Sequence, residues 1–155
     1  MVHVPRFGPG WEVAAEEGVD TEGVLDDGVL GHYPGTAMVG GLGNFAVAGH
    51  RVTYGKPLNR IADLQVGDPV VVETGEAWYV YRVTGHEVVT PDRVEVIAPV
   101  PGQPGAQPTQ RLMTLTACHP QFSARYRYVV HAEMESWQPR SAGAPAALTA
   151  AGGGS

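Results

Sequence analysis

The sequence predicts an all-β domain, a sheet of about eight short strands with short helical turns, closed into a barrel. Two observations point there. Apolar residues recur with a two-residue period in short runs, and nowhere does a long amphipathic helical period develop. Glycine and proline are abundant, 21 and 13 in 155 residues, which favours many strands and tight turns over long helices. Closing such a sheet removes the exposed edges that would otherwise pair with other chains.

The strand candidates are the runs 2–5, 11–15, 44–49, 69–73, 78–83, 94–100, 112–116 and 126–134. Asp20 and Thr21 resemble an N-cap before a helical turn near Val24 and Leu25, and Asn59 is placed to cap a short helix over 61–64. Turn chemistry at 74–76 makes a hairpin of the runs on either side. Residues 101–108, rich in proline and glycine, form a loop leading to the run at 112–116. Residues 1–140 make one domain, and the Ala/Gly/Pro-rich segment 141–155 reads as a flexible tail with the composition of a linker.

Composition excludes several function classes. The net charge is −6 and the ten Lys and Arg residues are scattered, which argues against nucleic acid as a partner. One cysteine rules out an intrachain disulfide and any multi-cysteine zinc site. His86, His119 and His131 do not combine with Cys118 at metal-ligand spacing, and nothing resembles a calcium loop, so no metal and no cofactor is expected. His86 and His131 read as residues of a strand surface. Gly41, Gly43 and Ala46 match a loose dinucleotide fingerprint but precede a strand instead of opening a helix, so the nucleotide reading fails on context.

The chemistry concentrates in the segment RLMTLTACHPQFSARYRYVVHA at 111–132. Cys118 follows the strand candidate 112–116, and His119 and Pro120 are expected to end that strand. In the next run Arg127, Val129, His131 and Glu133 share one face. A thiol needs a base or a positive field to act as a nucleophile, since its free pKa is about 8.5. His50 is the best placed of six histidines, at the end of the apolar run 44–49. A Cys, a His and an Arg, each ending a different apolar run, fit a thiol active site; the competing reading is a buried and inert cysteine. Arg125 is the rival of Arg127 for the arginine role.

Several segments, in order along nearly the whole chain, carry a resemblance. They are VPRFG at 4–8, EEGVDTE at 16–22, GHYPGTA at 31–37, GNFAVAGHR at 43–51, YGKPLNR at 54–60, GDPVVVET at 67–74, WYVYRVTGHEVV at 78–89 and TLTACHPQFSARYR at 114–127. Together they resemble the catalytic domain of the class E sortases, actinobacterial housekeeping transpeptidases of the cell wall. The resemblance implies a closed sortase-type β-barrel, with Cys118 as nucleophile, His50 as general acid and base, and Arg127 as the group that steadies substrate and oxyanion. It implies a substrate surface including Tyr33, Tyr54, Thr116, Ala117 and His119, with Tyr33 and Tyr54 the candidates for selecting alanine in an LAXTG-type motif. The family usually has threonine where this chain has Ala117, and His32 in the GHYPGT segment reads as a residue that holds a loop by hydrogen bonding.

The same resemblance implies a sorting-signal peptide of secreted proteins as one substrate and a peptidoglycan precursor amine as the other. It implies a parent protein anchored in the membrane and acting at its extracellular face, with Met1 marking a trimmed N-terminus, since no apolar run here approaches the roughly 20 residues that span a bilayer. Two other functions use the same residues differently. A thiol hydrolase of cell-wall peptides would release its product to water, and a noncatalytic β-barrel binding module would keep Cys118 as an idle thiol.

Overall fold

The computed structural model describes residues 1–8, 10–19, 28–50, 57–90, 92–103, 105–119 and 126–148, with Cys118 and His119 described by their backbone alone. Nine strands form among the described residues: β1 (Val2–His3), β2 (Glu12–Val13), β3 (Ala15–Glu17), β4 (Leu30–His32), β5 (Gly43–Gly49), β6 (Pro69–Glu73), β7 (Ala77–Val89), β8 (Arg111–His119) and β9 (Tyr126–Pro139). They make one sheet in the order β2-β1-β6-β7-β9-β8-β5-β4-β3. The edge strands β2 and β3 are separated in sequence by Ala14 alone, so the two edges of the sheet converge and the barrel is nearly closed. No helix among the described residues is long and apolar enough to cross a membrane.

The pairing is antiparallel except between β3 and β4 and between β5 and β8. Burial of β5 explains its sequence. All seven of its residues are buried. Phe45 and Val47 project into the main core with Met113, Leu115 and Ala117 of β8 and Tyr128, Val130 and Ala132 of β9. Ala46 and Ala48, on the other face, are small enough to be covered. Strands of this kind read as continuous apolar runs because both faces leave water. A smaller cluster of Val89, Val96 and Val129, with Ile97 against it, lies apart from the main core.

The predicted strand at 69–73 and the hairpin through 74–76 form as expected, the hairpin closed by Thr74 N–H donating to Ala77 O at 2.9 Å. Elsewhere the structure corrects the sequence reading. The run 94–100 is a 3-10 turn, Val94–Ile97, followed by bends. Pro99 and Pro101 lack the N–H groups a ladder needs, and only Val96 of the turn is buried. The short helix is 3-10, Ile61–Asp63, with Arg60 rather than Asn59 at its N-cap and no side-chain cap bond. The first run pairs only at Val2–His3, because Pro5 starts a 3-10 turn. The helical turn expected near Val24 and Leu25 lies outside the described residues. In the tail, Gly143 O accepts a bond from Gln138 Nε2 at 2.7 Å, which ties its start to β9.

Candidate active site

β5 and β8 run in parallel with one register throughout, from Gly43↔Arg111 to Gly49↔Ala117. The offset, 111 − 43 = 68, equals the separation 118 − 50 = 68 between the cysteine and His50. The next step of the register is therefore His50 beside Cys118. On the other side of β8 the antiparallel ladder pairs Cys118 directly with Arg127. Cys118 and Arg127 thus share one row of β8 and β9, and His50, the residue that follows β5, stands at the position that the same register would carry into that row. β8 continues one residue further than expected, to His119, which pairs with Tyr126, so the backbone tolerates the histidine as the last rung before Pro120.

Local packing fixes the ends of this row. At Gly49, a Cβ would lie 2.7 Å from Leu30 Cδ2 and 3.1 Å from two atoms of Leu58, and both leucines are themselves fully buried. Glycine lets β5 approach these side chains and delivers His50 at the strand end. The His50 carbonyl accepts from Leu58 N–H at 3.0 Å, which returns the chain to the barrel after residues 51–56. His50 and Arg127 are both half-buried. Arg127 also pairs with Val89 of β7, so the row extends across a third strand.

Tyr33 is brought to the same region. Its N–H donates to Ala46 O at 2.9 Å, and its Oη is hydrogen-bonded to Thr116 Oγ1 at 2.9 Å, two residues before the cysteine. The turn that carries Tyr33 is held by His32. Nε2 of His32 lies at hydrogen-bond distance from Ala37 O, 3.0 Å, and Thr36 Oγ1, 2.9 Å, and its Nδ1 is 2.6 Å from a Glu17 carboxylate oxygen. His32 therefore holds a loop, as its sequence context suggests. Ala117 is 1% exposed and belongs to the main core, so its methyl packs on the face opposite Thr116. Tyr54 and Arg125 lie outside the described residues.

The sequence reading missed a chain of side chains on the Thr116 side of the sheet, made by Asn44, Thr114, His131 and Glu87. His131 is a partner in this network and not a plain surface residue, whereas His86 is exposed and stacks on Tyr128 at 5.4 Å. The signal was present in part. Asn44 and Thr114 are polar residues inside otherwise apolar strands, and His131 shares the two-residue period of Arg127. Among the described residues, His3, Glu12 and Glu73 bring metal-type ligand atoms within 4.8 Å of one another. Their groups are engaged in ion pairs, His3 with Glu73 at 2.9 Å and with Glu12 at 3.5 Å, and Arg140 with Glu73 at 2.6 Å. The cluster ties β1, β2 and β6 together, away from the cysteine row.

Known proteins share this fold. The family described as "Sortase domain" matches residues 2–135. Sortase SrtE1 of Streptomyces coelicolor is 40% identical over 154 residues, covering 96% of this chain and 43% of the relative. Sortase SrtE2 of the same organism is 36% identical over 143 residues, covering 86% and 54%. The chain thus spans about half the length of the curated relatives it matches. Among solved structures, the SrtA sortase of Actinomyces oris superposes with a TM-score of 0.89 at 47% identity, covering 95% of this chain and 84% of that one. Sortase E1 of Streptomyces coelicolor, solved with a tripeptide in its active site, superposes with a TM-score of 0.87 at 42% identity, covering 95% and 93%. With the barrel, the match along its length and these relatives agreeing, the chain belongs to the sortase family, on its class E branch.

Proposed function

We propose that this chain is the catalytic domain of a cysteine transpeptidase that cuts an LAXTG-type sorting peptide between Thr and Gly and joins the acyl-threonine to an amine. The observation that carries the proposal is the pairing of Cys118 with Arg127 across β8 and β9, with His50 directly after β5 at the position the β5/β8 register leads to. A peptide substrate is supported by the tripeptide seen in the active site of the Streptomyces coelicolor relative.

In the first step the Cys118 thiolate attacks the threonine carbonyl carbon, forming a C–S bond and a tetrahedral oxyanion that Arg127 stabilises. Arg is suited to that role because its charge is permanent and its fork of donors matches an oxygen acceptor. Collapse of the oxyanion breaks the Thr–Gly C–N bond, and His50 gives its proton to the leaving glycine amine. The thioester then meets an incoming amine, which loses a proton to His50 and attacks the same carbonyl. The new amide forms as the C–S bond breaks and the thiolate is restored.

The natural amine in this account belongs to a cell-wall precursor, and the parent protein works at the outer face of the membrane, held there by an anchor. Tyr33 is the candidate for choosing alanine in the motif, on the strength of its hydrogen bond to Thr116. The test is product analysis of an LAXTG peptide with and without triglycine. Ligated product whose yield rises with triglycine supports transpeptidation, and hydrolysis alone at every amine concentration assigns a thiol hydrolase instead.

A further inference from the structure

We propose that Glu87, His131, Thr114 and Asn44 form a side-chain strut that fixes the 94–98 segment beside Arg127 and so sets how tightly a peptide is held there. The identity of the ligand rests on the transpeptidase reading above; the strut itself rests on geometry alone.

The bonds form one continuous chain. Asn44 Nδ2 donates to Val96 O at 3.3 Å and to Ala98 O at 3.1 Å. Its Oδ1 accepts from Thr114 Oγ1 at 2.8 Å. Thr114 Oγ1 is also hydrogen-bonded to His131 Nδ1 at 2.9 Å, and His131 Nε2 to Glu87 Oε2 at 2.7 Å. The four residues stand on β5, β8, β9 and β7, which are consecutive neighbours in the sheet. Thr114 and Asn44 are 0% and 1% exposed, so neither can exchange these partners for water.

Strand pairing does not require such a relay, since backbone ladders already join the four strands. Its distinctive end is the pair of carbonyls at Val96 and Ala98. Among the described residues the backbone N–H groups of Val94, Val96 and Ala98 bond within the connection, to Asp92 O, Arg93 O and Glu95 O. Asn44 ties it to the sheet. Val96 in turn packs with Val129 and Val89. Val89 is the register partner of Arg127, and Val129 lies two residues along β9 on the same face. Where the 94–98 segment sits therefore decides the space beside Arg127, and all four strut residues act as positioning residues.

Thr114→Val keeps the side-chain shape and breaks the relay at its centre, and Thr114→Ser restores the hydroxyl. Amide hydrogen exchange is measured at 94–98 and, as an internal control, at β6. The same variants are assayed for KM and kcat with an LAXTG peptide and triglycine. In Thr114→Val, exchange at 94–98 rises about tenfold with β6 unchanged, while KM rises several-fold with kcat held within about twofold, the pattern of lost uniform binding. Thr114→Ser returns both to near wild type. Glu87→Gln, at the half-exposed end of the relay, gives the same changes in smaller measure and serves if Thr114→Val does not fold. Unchanged exchange at 94–98, an equal rise in β6, or a loosened segment with unaltered KM each overturns the proposal. If the wild-type protein turns over no peptide, the transpeptidase reading fails, and the exchange data alone decide whether the strut exists.

Discussion

Cys118 and Arg127 are direct partners in the antiparallel ladder of β8 and β9, one rung beyond the Ala117 and Tyr128 pair that belongs to the barrel core. Arg127 is thus placed by the backbone register that also places Cys118, and not by a separate loop. The core pair of Ala117 and Tyr128 lies one rung away.

Arg127→Ala is expected to lower kcat by about 10²- to 10³-fold, the range found when an oxyanion donor is lost. Arg127→Lys recovers little, because a point charge on a flexible stem does not reproduce the fork. Steady-state kinetics with an LAXTG peptide measure the loss. Equal kcat in wild type and Arg127→Ala would remove Arg127 from the chemistry.

Gly49→Ala should destabilise the fold by about 1 to 3 kcal/mol through overpacking against Leu30 and Leu58, and should lower activity by displacing His50. Urea denaturation and kinetics on the same variant check both effects. A stable and fully active variant would mean that β5 can shift without moving its catalytic end.

Tyr81 makes alkaline stability a test of the core. Its ring is fully buried, its hydroxyl accepts from Gly40 N–H at 2.8 Å, and burial pushes its pKa up from 10.0 to about 12. The folded protein keeps the phenolic proton to about pH 12, whereas the unfolded chain releases it near pH 10. Between those limits the unfolded state binds fewer protons, so stability falls as pH rises; below pH 10 the contribution is fully present. A two-unit shift corresponds to about 3 kcal/mol lost across the window. Denaturation from pH 8 to 12 should show a decline in wild type that Tyr81→Phe lacks.

Much of this architecture was legible in the sequence, and what was not has physical causes. The two-residue period of 126–134 put Arg127, Val129 and His131 on one face, and the offset of 68 between His50 and Cys118 proved to be the register of β5 on β8. The 94–100 run misled because Val94, Val96 and Val100 suggest a strand, while Asn44, fifty residues earlier, takes the carbonyls that a strand would offer to a neighbour. His131 looked like a surface residue because its partners Thr114 and Glu87 come from β8 and β7. Resemblance to a family position usually held by threonine places Ala117 at the substrate surface; strand alternation gives its methyl to the core, a burial that depends on the β8 packing and not on the motif.

The most direct test of the central claim is intact and peptide-mapped mass spectrometry of the protein incubated with an LAXTG peptide and no added amine, quenched in acid within the first turnovers. The expected result is an acyl adduct that maps to Cys118, decays when triglycine is added, and is absent from Cys118→Ala. Peptide cleavage that persists in Cys118→Ala, or an adduct on any other residue, would contradict the assignment of Cys118 as the nucleophile.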